Sequence, residues 1–309
     1  MRFSLSTNWI NRRIESGEEI VDRALELGFG ELELGYHTTL QQAEGFRRRL
    51  DEMPVGSIHA FCPVPISAPQ GYPELYQLAS EDAETRAMAR VHILRNIDFA
   101  ASMGADTVVL HAGRVFLDSL FGDRSTSRLR TVLASVGNDI AKPAYAKALA
   151  KSLKLRAKRG AKMLTAFRKT LDEVLPRLQE KKVTLALENL PYLEGFPDET
   201  EMRALLDDLK DAPLKAWFDT GHHRVRASFG WVPEGFDPCA AIETYAGVHI
   251  NDVVDFNDDH FAPGGGRVDF AALKPLLHGV RHLVFEPNAA VKENDLRRGV
   301  DLLKRLMAP

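Results

Sequence analysis

Apolar residues recur along this chain with two alternating periods. FSLST (3–7), ELEL (31–34) and VGSIHAF (55–61) are short apolar or alternating runs that read as strands. Between them, SGEEIVDRALELG (16–28) and TLQQAEGFRRRLDEM (39–53) place apolar residues at helical spacing. Ser16 is set to cap the first of these helices, Glu18 and Glu19 suit its opening turn, and Gly28 suits its stop. A Pro-rich loop from Cys62 to Pro73 precedes a long helix over 81–103 and a fourth strand, DTVVLH, at 106–111. EKKVTLALEN, PLKAWFDTGH, YAGVHIND and HLVFEP hold four more strands, with helices near 198–211, 270–278 and 292–307. Strands spaced by helices argue for parallel β/α units. Eight such units predict a single α/β domain over 1–309, a closed (β/α)₈ TIM barrel rather than an open sheet.

One interval breaks the rhythm. From His111 to Glu188 the chain spends 77 residues, about twice what a helix and two short loops need. The excess predicts a helical insertion over 114–160, between strands four and five. Its basic stretch spans 141–169: ten Lys or Arg and no acid lie between Asp139 and Asp172. Such a run is ordinarily a solvated helix pair covering the barrel. The functional alternative is an electrostatic collar for a phosphorylated or polyanionic substrate. Tyr145 and Phe167 are its only aromatics, so a base-stacking platform is not favoured.

Composition changes this picture little. The chain is 45% hydrophobic, and its net charge of −3 neither favours nor excludes an anionic partner. Cys62 and Cys239 are the only cysteines, too few for a disulfide framework, and read as reduced thiols of a cytoplasmic protein. The opening MRFSLSTNWINRR has no apolar signal-peptide core. No run approaches the ~18 apolar residues of a membrane span.

The chemistry lies at the strand ends. Six apolar runs finish in, or carry, a residue able to bind a metal: His59, His111, Glu188, Asp219, His249 and Glu286. In a barrel, catalytic groups gather at that face. His222 follows Asp219 by three residues across Thr220–Gly221, close enough to face the same cavity. Asp258 and His260, two apart in an extended loop, can clamp one ion, and Pro263-Gly264-Gly265-Gly266 lets backbone approach a substrate. The mixed nitrogen and oxygen set suits Zn²⁺, Mn²⁺ or Fe²⁺ better than Mg²⁺. A lone His after a strand is usually structural, and Glu188 alone could pair with a base. Six such strand ends together, with carboxylates that would be costly to bury without a cation, favour a metal site. His37, His92, His223, His278 and His282 lack this placement and read as structural.

These residues resemble the xylose-isomerase-like barrel superfamily, which holds sugar isomerases, sugar epimerases and class IV apurinic-site endonucleases. The resemblance runs from STNW near the start to FEP near the end, outside the insertion; GEEIVDRALELGFGELELG is similar to the isomerase and epimerase branch. In that branch the resemblance implies one ion held by Glu188, Asp219, His249 and Glu286, with His222 touching substrate. In the endonuclease branch it implies three zinc ions, with His59, His111, Asp258 and His260 completing nine ligands. HINDV and DDH match the endonuclease pattern too. Three features depart. The phenylalanine-rich opening and Asn-Pro-Arg turn of the endonucleases are absent. Their Gly-Glu-Gly reads Gly264-Gly265-Gly266. Position 255, where some ketose epimerases keep Arg, is Asp.

The preferred expectation is a divalent-metal-dependent isomerase or epimerase of a sugar, sugar phosphate or hydroxy-carbonyl compound. It would work by proton transfer through a metal-stabilised enediolate. Glu188 and Glu286 are its acid and base, and His222 orients hydroxyls beside His59 and His111. The alternative is a zinc-dependent phosphoesterase, similar to an apurinic-site endonuclease, in which Glu188 and Glu286 are ligands only. A metal-binding protein without catalysis is the third class. One to three ions of Zn, Mn or Fe are expected, with a small sugar-like partner. Nucleic acid is less favoured, no membrane partner is expected, and a homo-oligomer is allowed by analogy with other barrels.

Overall fold

The structure, a computed structural model, describes residues 2–115, 117, 125–256 and 259–308. Eight strands close into a barrel: β1 Ser4–Ser6, β2 Glu31–Leu34, β3 Val55–His59, β4 Thr107–Leu110, β5 Thr184–Glu188, β6 Leu214–Asp219, β7 Tyr245–Ile250 and β8 His282–Phe285. Each pairs in parallel with the next around the ring, and β8 closes on β1. The helices are α1 Gly17–Glu26, α2 Leu40–Arg48, α3 Ala83–Ser102, α4 Ser125–Ser135, α5 Pro143–Lys181, α6 Glu199–Asp208, α7 Thr220–Ser228, α8 Lys274–Gly279 and α9 Glu293–Leu306. The expected barrel is therefore the observed one.

Local chemistry explains the helix starts. The Ser16 hydroxyl accepts from Glu19 N, with Glu18 and Glu19 in the first turn of α1. Thr39 with Gln42 and Asp198 with Glu201 form capping boxes on α2 and α6. Each such cap contributes about 1 kcal/mol. Leu32, Ile58, Val108 and Leu185 from the strands share one buried core with Ile20, Ile93, Leu205 and Leu296 from the helices. Each fully buried side chain of this kind contributes about 1.5–3 kcal/mol. A smaller apolar group, Val109, Ala186, Trp217 and Val284, fills the barrel interior. That plug lets the strand ends beyond it be polar.

Two local departures from the sequence reading matter. Asp219 caps a helix that the spacing did not predict, since its Oδ1 accepts from His222 N at 2.6 Å. The expected Thr220–Gly221 turn is the first turn of α7. Gly221 is required there because a Cβ would lie 1.9 Å from Asn251 Oδ1.

The basic stretch lies on α5, one continuous helix of 39 residues, about 58 Å long at 1.5 Å per residue. No break near 160 separates residues 143–160 from the helix that leads back to β5. Tyr145, Arg156, Met163 and Phe167 form its buried side. Lys147, Lys151, Lys154, Lys158 and Lys162 are exposed on the opposite side. Arg156 is nearly fully buried, pairs with Asp198 and Glu201, and donates to the Leu193 carbonyl. It fastens α5 to the loop after β5. Among the described residues, no helix is long and apolar enough to cross a membrane.

Candidate metal centre

The six strand-end residues converge. Glu188 at the end of β5 is fully buried, and each of its oxygens faces two imidazoles. Oε2 lies 3.2 Å from His59 Nε2 and 3.0 Å from His111 Nε2. Oε1 lies 3.1 Å from His249 Nδ1 and 3.3 Å from His222 Nδ1. His249 Nδ1 is also 3.2 Å from Glu286 and 3.8 Å from Asp219. Among the described residues, three sets of candidate ligands result, each with donor atoms within 4.8 Å of one another: His59, His111 and Glu188; Glu188, Asp219, His249 and Glu286; Asp219, His222 and His260. Glu188 joins the first two sets and Asp219 joins the last two.

The backbone dictates which nitrogen each imidazole offers. His59 Nδ1 is 3.0 Å from Ala60 O, His222 Nδ1 is 2.9 Å from Asn189 O, and His260 Nδ1 is 2.8 Å from Glu286 O. A carbonyl only accepts, so each Nδ1 carries the proton and each Nε2 presents a lone pair. His222 Nε2 and His260 Nε2 then face each other at 3.2 Å, and His59 Nε2 faces a carboxylate oxygen. Such pairs repel unless a proton or a cation lies between them. Two ligands of a tetrahedral zinc ion stand about 3.3 Å apart when each bond is 2.0–2.1 Å. The residues therefore fit divalent ions.

Without an ion, protons take that role. Burial disfavours the charged imidazoles, but Glu188 and Glu74 raise His111 to about 9. Against the same burial, Asp219 and Glu188 raise His222 to about 10. Burial also opposes ionisation of Glu188, yet His249 and His111 hold its pKa well below the ordinary carboxylate range. Asp219 moves upward, because burial outweighs its neighbouring imidazoles.

Several contributors were missed from sequence. Glu33 on β2 is fully buried and lies 3.0 Å from His249 Nε2. Asn8 donates to Glu286 Oε1 at 3.1 Å. Asn251 donates to Asp219 Oδ2 at 2.7 Å and accepts from His260 N at 3.2 Å. Asp259 stands 3.8 Å from His222 Nε2. Asp252 organises the loop after β7, with Oδ1 accepting from Val253 N and Val268 N, and Oδ2 from Gly264 N and Gly266 N. Alternation along ELEL was the available signal for Glu33, since Leu32 and Leu34 must face the helices. No spacing rule points to Asp252 or the asparagines.

One expected ligand, Asp258, lies outside the described residues. The expected extended backbone at His260 is corrected: its φ is +61°, a left-handed turn, so alternation does not set its direction. The imidazole instead reaches the centre because Asn251 and Glu286 hold it. Of the histidines read as structural, His282 is buried at the far end of the barrel on Asp106, at 2.9 Å. Trp9 and Phe61 are fully buried, Trp231 is buried against Phe229, and Tyr192 lies under Arg114.

A family model described as a xylose isomerase-like TIM barrel matches residues 21–306. Solved structures share the fold at low identity. A D-psicose 3-epimerase in the presence of D-fructose is 14% identical, with a TM-score of 0.65 and complete coverage of both chains. A 3-keto-D-glucoside 4-epimerase from E. coli is 16% identical, with a TM-score of 0.67 and 99% of each chain covered. A Thermus thermophilus protein soaked with ZnCl₂ is 22% identical, with a TM-score of 0.57 over 99% of this chain and 96% of that one. No curated protein sequence matches the chain.

Proposed function

Because the chain belongs to the xylose isomerase-like TIM barrel family, we propose that it is a divalent-metal-dependent enzyme acting on a sugar-like substrate. The geometry supports most strongly the hydrolysis of a phosphoester on that substrate. One observation carries this choice: both oxygens of buried Glu188 are flanked by imidazoles, and Glu188 and Asp219 link three ligand sets into a chain. A carboxylate so enclosed suits a bridge between ions better than a proton carrier for a substrate carbon. Ions in such a centre lower the pKa of bound water and neutralise charge on phosphate oxygens.

The protein's own residues supply the rest. Ala60 O, Asn189 O and Glu286 O fix the imidazole tautomers before anything binds. Asn251 and Asn189 hold Asp219 in place. The barrel plug beneath, with Trp217 against His249, keeps bulk water from the lower side.

Isomerisation or epimerisation is the second reading. It is favoured by the names of the structural neighbours, a D-psicose 3-epimerase and a 3-keto-D-glucoside 4-epimerase. Here a single ion would sit among Glu188, Asp219, His249 and Glu286, and Glu286 and Glu188 would move the proton of a hydroxy-carbonyl compound. His59, His111 and His222 would contact its hydroxyls.

Elemental analysis of purified protein, paired with two activity screens, decides between them. Two to three zinc ions per chain with phosphate release from phosphoesters supports hydrolysis. One manganese or similar ion, with deuterium exchange into a ketose, overturns it in favour of isomerisation. No divalent ion at all removes both.

A further inference from the structure

We propose that Glu33 is the positioning residue of this centre, and that it makes the Glu188, Asp219, His249 and Glu286 position the tightest of the metal positions. The inference rests on the metal-centre reading above and assigns a residue to it that no strand-end pattern contains.

Four of the imidazoles have their outward nitrogen committed. For His59, His222 and His260 the partner is a neutral backbone carbonyl. Among the described residues, His249 differs in hydrogen-bonding through that nitrogen to an ionisable side chain, although His222 Nδ1 also passes 3.3 Å from Glu188 and His260 Nδ1 3.8 Å from Glu286. His249 Nε2 lies 3.0 and 3.2 Å from the two oxygens of Glu33. Among the described residues, His111 Nδ1 has no hydrogen-bond partner, and Glu74 stands 3.8 Å away. A carboxylate behind an imidazole fixes its tautomer and makes the other nitrogen a stronger donor than a carbonyl does. His249 therefore offers Nδ1, the atom that faces Glu188, Glu286 and Asp219.

The fold is built to hold Glu33 there. The register between β2 and β3 slips between Leu32 and Glu33, so that Glu33 sits opposite Ser57. Such an irregularity re-aims a side chain. The Ser57 hydroxyl donates to Glu33 Oε2 at 2.8 Å. Trp217 meets His249 edge-to-face, with ring centroids 5.0 Å apart, and His59 stacks on His249 at 5.7 Å. Glu33 and His249 are both fully buried. A buried carboxylate whose hydrogen-bond partners among the described residues are this imidazole and one hydroxyl has little purpose in the barrel wall other than directing that imidazole.

The test is competitive chelation of zinc from the whole protein, comparing wild type with Glu33→Gln and Ser57→Ala, and following zinc released per chain. Wild type should release its ions in steps, with one held at least tenfold more tightly than the others. Glu33→Gln keeps the shape and an acceptor oxygen but loses the charge. It should weaken the tightest ion by roughly 10–100-fold and leave the weaker steps in place. Ser57→Ala should weaken the same step less. Melting of each metal-free variant shows whether it folds, and Glu33→Asp, which keeps the charge, should recover part of the affinity. A wild type that binds no zinc overturns the metal-centre reading itself. A wild type that binds zinc while Glu33→Gln releases every ion with unchanged affinity overturns the role of Glu33 alone.

Discussion

Asp252→Asn should detach the loop after β7 and remove one metal position while sparing the barrel. The Asp252 side chain is buried and accepts four backbone N–H groups at 2.8–3.0 Å, two on each oxygen. Asparagine keeps one acceptor oxygen and turns an NH₂ toward the other two N–H groups. Two hydrogen bonds to a charged acceptor are lost, each about 1.5–3 kcal/mol, so the loop loses about 3–6 kcal/mol. That is comparable with the whole stability of a domain, about 5–15 kcal/mol. The loop is tight: a Cβ on Gly266 would stand 2.3 Å from Asp252 Oδ1 and 2.4 Å from Val253 O. The loop carries Asp259 and His260, whereas Glu188 and His249 lie on strands and Glu286 directly follows one. The variant should therefore lose the ion of the Asp219, His222 and His260 set, keep that of the Glu188, Asp219, His249 and Glu286 set, and become open to protease between 253 and 268. Zinc counting and limited proteolysis on the same sample read both effects. Unchanged zinc content with unchanged protease resistance would refute the reasoning.

Three further outcomes follow from the same geometry. Glu188→Gln should leave the fold intact, lower the metal count by more than one, and reduce kcat by roughly a thousandfold or more; normal turnover removes Glu188 from the mechanism. Metal-free protein should lose thermal stability as pH rises. His111 and His222 are raised above the ordinary histidine value, to about 9 and about 10, so their contribution is complete below about 6.5 and is lost through 9–10; a melting temperature that climbs over that range contradicts this. Lys151→Glu with Lys158→Glu should leave kcat/KM for a small anionic substrate within about twofold, because both face away from the buried side of α5; a large, salt-dependent drop would restore the collar.

The barrel was legible because its signals are local. Ser16, Thr39 and Asp198 announce helix starts, and runs such as TVVLH announce strands. The strand-end ligands were legible because a polar residue closing an apolar run is visible without knowing the fold. Glu33 was hidden inside an alternating strand, where a charged residue normally faces solvent; only barrel closure turns that side inward. Asp252 accepts from backbone N–H groups spread over the next 16 residues, and Asn251 joins the Asp219 carboxylate to the His260 N–H; no periodicity encodes those partners. The length of α5 was obscured because Gly160, a residue of low helix propensity, falls near its middle, and the excess residues read as a separate unit.

Sharing of ligands has an evolutionary consequence. Altering Glu188 or Asp219 strips two adjoining sets in one stroke, whereas altering His59 with His111, or His260, trims only an end of the chain of sites. Descent toward simpler relatives should thus proceed from the flanks inward. The middle quartet, touching every neighbour, is the part that ancestry can least afford to change.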